Sequence, residues 1–471
     1  MAHRATGLLA LTVGLLFSTV PATAEEAGVP FPDIAGPELW IDGPDAVSLG
    51  NDLQFPDVAV DNEGRRIHVW SAAGMNGSQA GRIILRRWDA DGTPLEDPKI
   101  VNSPVVNVHQ TFPRVAVSAD GSILVIWQSL DPIAPGDPIR RYVVHGQAYD
   151  ADGNTVGTEQ RLSTVPTNGT TNDFADVAAL RTSDGSAGGY AVVWRSSNSA
   201  GPDTNWSIQG CLVSSTGVPS PQFQVNSETA SNQNLSSITE LIDGGFLAVW
   251  VESQKVWGRR FNSAGGPIGN DVQLSTFSSA VAQETQVAIG WNGHILVVWA
   301  DSGVETPPLP PGSSSEIRGR LFDADLNALG PDFRINTVTE DTQSAPRIAD
   351  YGQKGFLVVW KSDVSSGADP GDSIEARLVT GPNQFDGDQV QLNTWDNNTQ
   401  QNPGAHGWYG RLATNWRSNT WDGEPPPNVI NDNFIIGRDI EDCLFCDDFE
   451  WFSPASPGSL WRWSSTLGLV P

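Results

Sequence analysis

Seven times along the chain a run of β-branched and aliphatic residues ends on a tryptophan: "RRIHVW", "GSILVIW", "GYAVVW", "GFLAVW", "HILVVW", "GFLVVW" and, more weakly, "RLATNW". The tryptophans are Trp70, Trp127, Trp194, Trp250, Trp299, Trp360 and Trp416, spaced by 57, 67, 56, 49, 61 and 56 residues. Self-similarity at about 50 residues is the mark of stacked sheet units, each of which buries its apolar faces only against its neighbours.

Each unit reads as four strands. The first is typified by "FPRVAVS" (Phe112–Ser118), with relatives "FPDVAVD" at Phe55 and "APRIAD" at Ala345. A tight turn such as "ADG" (119–121) leads into the tryptophan strand. A third strand follows a loop of variable length and reads "IRGRLFDAD" (Ile317–Asp325) or "VWGRRFNSA". The fourth is typified by "DFRINT" (Asp332–Thr337), "QFQVNS" and "DVQLST". Val, Ile, Phe and Trp between Gly, Asp and Pro punctuation give strands, and no segment has the 3.6-residue period of a helix. The expected fold is all-β: a seven-bladed β-propeller of four-stranded antiparallel blades over residues 38–440. The seventh unit supplies three strands, "GAHGWYG", "RLATNWRS" and "NFIIGRD". Its fourth is expected from the N-terminal side of the first unit, within residues 38–52, with "DAVSLGND" (Asp45–Asp52) as the candidate.

The pattern resembles bacterial secreted β-propeller repeat proteins whose blades read roughly P-x-V-A, D-G, L-V-V-W, I-x-G-R-x-F-D and F-x-V-N-T in turn. The resemblance implies the fold and says little of activity, because propellers host enzymes, lectins and scaffolds alike. Beyond it, "DCLFCDDFEWFSPASPGSLWRWSS" (Asp442–Ser465) is similar to the F-x-D-G-F-E…W-S tails of exported bacterial proteins. Phe445, Asp447, Phe449, Glu450, Trp463 and Ser464 fit that pattern, and Asp448 stands where glycine is usual. The resemblance implies a sorting or surface-attachment tail over 441–471.

The start of the chain points to export. Residues 1–24 have a weakly basic opening, the apolar run "GLLALTVGLLFSTV" and an Ala22-Thr23-Ala24 cleavage site, the plan of a secretory signal peptide. A secreted protein is expected, extracellular, surface-bound or periplasmic, with no transmembrane segment and acting as a monomer. In an oxidising compartment Cys443 and Cys446 are expected to form a disulfide. A zinc site would need two further ligands nearby, and Cys211 has no evident partner. Acidic residues outnumber basic ones 55 to 27, for a formal charge of -28. Such a field repels nucleic-acid phosphates and anionic membranes.

No nucleophile elbow, phosphate loop or Ser/His/Asp motif is present. "SADGSILVIW" has the wrong order for a sialidase Asp-box, and a lone Arg in "FPRV" is not a carboxylate-binding triad. The "DADG" turns at Asp89 and Asp150 lack the further carboxylates of a calcium loop and read as hairpin turns. Histidines 68, 109, 145, 294 and 406 are scattered.

Binding is expected on the face that carries the inter-blade loops and the loops between second and third strands. Gln110, Gln233, Gln343 and Gln400, with Asn172 and Gln283, recur just before the first strands and either ring a pocket mouth or satisfy loop carbonyls. Trp206, Trp395, Trp408 and Trp421 fall outside the tryptophan repeat, in or near variable loops, where they would stack on sugars or anchor a protein. Asp203, Asp301, Asp363, Asp369, Asp372 and Asp422 make this face acidic and would suit Ca²⁺ if a cation binds; no other cofactor is implied. The leading expectation is a secreted, non-enzymatic propeller that binds a carbohydrate or an extracellular protein. The alternatives are a carbohydrate-active enzyme (a glycoside hydrolase or lyase) using Asp301, Asp363 or Asp422, and a structural cell-surface protein.

Overall fold

The structure, a computed structural model, describes residues 35–441 except 43–51, 74–80, 104–108, 133–139, 165–170, 183, 198–204, 277–281, 303–314, 364–370, 394–398, 409–410 and 420–433. The tail with Cys443 and Cys446 therefore lies outside the described residues, as does the apolar start.

The described residues form seven four-stranded antiparallel sheets, and no α-helix is found among them. Each sheet has its first strand innermost. These inner strands are Asp52–Val60, Gln110–Val117, Asn172–Arg181, Gln233–Glu240, Ala282–Ile289, Gln343–Asp350 and Gln400–Trp408. Each packs against the inner strand on either side, and the seventh packs against the first, so the ring closes around a central channel. This is the expected seven-bladed propeller.

The repeated tryptophans are all buried, at 0–1% exposure. Each belongs to a cluster shared with the preceding blade. Trp127 packs with Val69, Ile83 and Leu85 of blade one, and Trp299 packs with Val249, Val251 and Leu274 of blade four. The tryptophan phrase is thus the wedge between neighbouring sheets, and the alternation of strand faces fills both sides of every blade.

A second repeated feature is the Asn or Ser that ends each fourth strand. The side chain of Asn102, Asn226, Asn336 or Asn393 accepts an N–H of the third strand, that of Ile83, Ile208, Ile317 or Ile374, at 2.7–2.8 Å. Ser163 and Ser275 do the same at 3.0 Å. The fourth strands are two residues long in blades one, three and five and seven or eight in blades two, four and six. In both kinds of blade the side chain gives a buried third-strand N–H its acceptor.

Blade seven is completed by Ala35–Trp40, which pairs with Phe434–Glu441. The latch comes from the N-terminal side of the first unit, as expected, but it lies upstream of "DAVSLGND": Asp45–Asn51 fall outside the described residues, and Asp52 already opens blade one. The reason is visible in the cap. Asp42 accepts the N–H of Ile435 at 2.8 Å, and the Ile41 N–H bonds the Ile435 carbonyl at 2.9 Å. "Ile41-Asp42" therefore does the work of "Ile335-Asn336" in blade five, where Ile335 bonds the Ile317 carbonyl and Asn336 caps the Ile317 N–H.

The joint between blades seven and one differs from the other six. Its apolar residues divide into two smaller clusters, one around Trp70, Ile41 and Ile435 and one around Val58, Val60 and Ala413. Polar contacts tie the joint. Arg86 donates to the Ile41 and Asp42 carbonyls at 3.0 and 3.2 Å. His406 Nδ1 accepts the Val60 N–H at 3.1 Å, and Asn415 lies 3.1 Å from His68 Nδ1 while donating to the Asp57 carbonyl at 3.0 Å. Burial, helped by Arg66 and Arg86, lowers the His68 pKa to about 3, and burial lowers that of His406 to about 4.

Both folded pKa values lie below the unfolded value near 6.5, so this contribution to stability is complete above pH ~6.5 and is lost as pH falls toward 4 and then 3. Acid should open the seam first. After correction for intrinsic exchange, the Val60 amide is expected to lose hydrogen-exchange protection between pH 6 and 4 before the Ile238 amide at the joint of blades three and four. Simultaneous loss at the two amides would contradict this.

Candidate binding site

First strands begin and second strands end on the same face, so the inter-blade loops and the loops between second and third strands meet there. On this face the glutamine series is buried. Gln110, Gln233, Gln343 and Gln400 are 0–2% exposed. Gln343 accepts the Trp360 indole N–H at 2.8 Å and donates to the Glu340 carbonyl at 3.2 Å. Gln233 accepts from Asn226 at 3.2 Å, and Asn172 donates to Ser163 and the Thr164 carbonyl. The amides lie beneath the loop surface, where Gln343 ties the repeated tryptophan to the loop and Gln233 and Asn172 bond the fourth-strand cap, while both polar side-chain atoms of Gln400 are buried with no protein partner.

Trp206 opens the third strand of blade three on this face. Trp408 ends an inner strand and so lies at the opposite mouth, where Arg181 stacks on its ring at 4.6 Å. The phrase "GAHGWYG" carries a first strand through to its far end, which moves Trp408 away from the loops. Trp395 and Trp421 lie outside the described residues, together with Asp203, Asp369 and Asp422.

The side chain that organises Trp206 is Arg195, the residue directly after the repeated Trp194. Its guanidinium makes a bidentate pair with Asp173, at 2.7 and 2.9 Å, and donates to Asn234 Oδ1 of blade four at 3.0 Å. The Trp206 ring lies 3.9 Å from it and the Phe174 ring 4.6 Å. The cation is fixed in plane by oxygens and stacked on two aromatic rings, so both rings are held rigidly.

Beside this stack is a depression of about 430 Å³ lined by Asn205, Ser231, Asn232, Asn234, Ser253 and Gln254 among others. It is open because the loop between the second and third strands of blade four is a two-residue turn. Ser253 and Gln254 both have positive φ, 49° and 69°, the hairpin geometry that matches strand twist. Asn232 Oδ1 accepts the Trp206 N–H at 3.2 Å, and Asn205 reaches the Ala230 carbonyl at 3.4 Å. The described lining offers amides and hydroxyls.

Beside the depression Glu252 accepts the Trp250 indole N–H at 3.3 Å, and burial raises its pKa; three further pairs of described carboxylates on this face share a cation. In blade two His145 is held between Asp131 at 2.8 Å and Glu159 at 2.6 Å. In blade six Lys361 lies 2.5 Å from Asp363 and 3.1 Å from Asp372. In blade five Arg318 lies 3.5 Å from Asp301 and 3.7 Å from Glu316, and Arg334 bonds Glu316 at 3.0 Å. Burial raises the Glu316 pKa against the pull of Arg334, and Asp301 adds to the rise. Asp301 and Glu316 are 4% and 1% exposed, beneath the surface rather than open to a ligand. No group of three or more His, Cys, Asp or Glu side chains among the described residues is arranged to hold a metal ion. The Asp-rich hairpins use their carboxylates internally: Asp150 Oδ1 accepts the N–H groups of Asp152 and Asn154, and Asp323 Oδ1 those of Asp325 and Asn327. Cys211 is buried and free, and burial pushes its thiol up to about 12.

Sequence reasoning singled out Trp206 but not its neighbours Arg195, Asp173, Asn232 and Asn234. The signal was present as a departure from the repeat. Blade three alone combines Asp before its bulge residue with Arg after its tryptophan, "NDFADVA" with "VVWRSS".

No protein-family profile matches the chain, and no curated protein sequence matches it. Solved structures with a similar course include a polysaccharide lyase described as an ulvan lyase, at TM-score 0.49 and 9% identity over 82% of this chain and 93% of that one. An α-L-arabinofuranosidase of Fusarium graminearum has TM-score 0.46 and 13% identity over 86% and 98%. A protein of unknown function from Dyadobacter fermentans has TM-score 0.45 and 12% identity over 86% and 97%. At these scores the functional conclusion rests on this chain's own residues.

His145 gives a testable electrostatic consequence. Burial opposes its charge, but the Asp131 and Glu159 carboxylates outweigh burial and raise its pKa from 6.5 to about 9. A raised histidine pKa contributes stability that is complete below pH ~6.5 and is lost as pH rises through 9. In urea denaturation, His145→Gln is expected to cost about 1.5–3 kcal/mol at pH 6, the range for charge-assisted hydrogen bonds, and little at pH 10. An equal cost at the two pH values would contradict the charged clamp.

Proposed function

We propose that this chain is a secreted propeller that binds a carbohydrate at the depression between blades three and four, without turning it over. The observation that carries this reading is the Trp206–Arg195–Phe174 stack beside a lining of amides and hydroxyls. A rigid aromatic surface offers the apolar face that a sugar ring presents through its C–H groups. Asn and Gln side chains each carry a donor and an acceptor, the pairing that vicinal hydroxyls require. A shallow site with a few placed polar groups suits recognition of a neutral polyhydroxyl ligand. The acid pairs of the same face support binding over hydrolysis, because each already shares a lysine, arginine or histidine of its own blade.

A glycan array and a glycoside hydrolase and lyase panel on the mature protein test the reading together. Specific retention of one glycan class without turnover is expected. Asn232→Ala should weaken retention about 10-fold, the value of one or two hydrogen bonds. Trp206→Ala should remove it, with the circular dichroism spectrum and thermal midpoint checked alongside. Retention of a protein partner but no glycan would overturn the carbohydrate assignment. Turnover lost in Asp301→Asn or Asp363→Asn would overturn the non-enzymatic one.

A further inference from the structure

Beside the depression stands a carboxylate that no cation among the described residues shares. Glu252 follows the repeated Trp250 by two residues, is 5% exposed and accepts the Trp250 indole N–H at 3.3 Å. Asp301 holds the same place in blade five, two residues after Trp299, and accepts that indole N–H at 3.4 Å. The two acids differ in what lies opposite. In blade five the third-strand partner of Trp299 is Arg318, whose guanidinium lies 3.5 Å from Asp301. In blade four the third-strand partner of Trp250 is Trp257, a ring where blade five has a cation. Lys255 is the partner of Glu252 across the two-residue turn, yet among the described residues neither it nor any other cation forms an ion pair with Glu252.

Strand register sets this carboxylate at the edge of the depression. Val251 and Ser253, on either side of Glu252, both belong to the lining. Glu252 pairs with Gln233, and the neighbours of Gln233, Asn232 and Asn234, belong to it as well. Ser231, a further lining residue, receives the Ser253 hydroxyl at 3.4 Å and also hydrogen-bonds Glu252. The lining residues carry no charge of their own. Arg195, the cation of the adjacent aromatic stack, is matched by its bidentate pair with Asp173. Burial raises the Glu252 pKa, and Asp271 of the same blade, a like charge, adds to the rise. The charge left over beside the depression is therefore negative. In a partly desolvated place such a charge acts across several ångströms without contact, so it discriminates among ligands by their charge while the amides and hydroxyls hold the ring.

We propose that Glu252 is the specificity-determining residue of the depression, making it favour sugars that carry an amino group, accept uncharged ones and reject uronic acids. The proposal rests on the carbohydrate reading and refines it by ligand charge. The probes are oligosaccharides of equal length built from glucosamine, glucose and glucuronate, and a second set built from galactosamine, galactose and galacturonate, titrated calorimetrically at pH 7 and low salt. In at least one set the affinity is expected to fall in that order, by roughly 10-fold from the uncharged to the acidic member, and the spread should narrow as salt is raised. Glu252→Gln keeps an acceptor for the Trp250 indole, removes the charge and should bring the three affinities together. Trp257→Arg gives blade four the cation of blade five and should do the same, which preserves the test if the Gln variant does not fold. An acidic member bound as tightly as the uncharged one by the wild-type protein would overturn the role of Glu252 and leave the carbohydrate reading standing, as would an unchanged spread in folded Glu252→Gln. No binding of any member of either set would also overturn the proposal; retention of another glycan on the array decides separately whether the carbohydrate reading survives.

Discussion

A four-stranded blade of this chain has an apolar surface on both faces and can bury neither alone. Every other feature of the molecule answers that constraint. The repeated tryptophans fill six joints of the same kind and a seventh that must be made between the two ends of the chain. The seventh joint packs blade seven, closed by Ala35–Trp40 on Phe434–Glu441, against blade one, so it joins the most sequence-distant partners through a divided apolar contact. Hydrogen bonds made by Arg86, Asn415 and two neutral histidines compensate for what the apolar contact lacks there. Elsewhere a third-strand arginine makes a related staple to the preceding blade, Arg259 to Val225, Arg320 to Leu274 and Arg377 to Ile335. The seam thus uses the device of the other blades and adds to it.

Crowding at the axis is the second consequence. Seven strands brought side by side must bend and twist, and a bulge with one residue in the left-handed region does both. That conformation costs a non-glycine residue about 1–3 kcal/mol, and repetition in all seven blades shows that the ring demands it. Once the backbone is set this way, residues at one level of different blades face one another. Glycine at that level in blade seven leaves room: a Cβ on Gly404 would fall 2.3 Å from Asn415 Oδ1. Charged residues, Asp57, Arg114, Asp176 and Arg347, stand at the same level in blades one, two, three and six.

The loop face is built on a different principle. Its scaffold is common to all blades, but the residue after each tryptophan changes from blade to blade: Ser71, Gln128, Arg195, Val251, Ala300, Lys361, Arg417. Where it is Arg195, it orders two aromatic rings and bridges to the next blade. Where it is Lys361, it neutralises a pair of aspartates. The short turn at Ser253 and Gln254 then decides where the face is open. A rigid ring with variable loop-end residues concentrates recognition at one or two blades.

The sequence by itself determined the all-β fold, seven blades, the strand order within them and the wedge role of the tryptophans, because periodic burial writes itself into periodic residues. It also carried the true latch, in "Ile41-Asp42", and the organising residue Arg195, but as single departures from or matches to the repeat that become legible only once the hydrogen bond they make is known. The burial of Gln343, the opposite placement of Trp408 and the sharing of each carboxylate pair by one cation were decided by tertiary structure alone. Sequence spacing fixes a residue's place within its own blade, whereas the distance between blades across a closed ring depends on how many blades there are and how they bend, which no local pattern records.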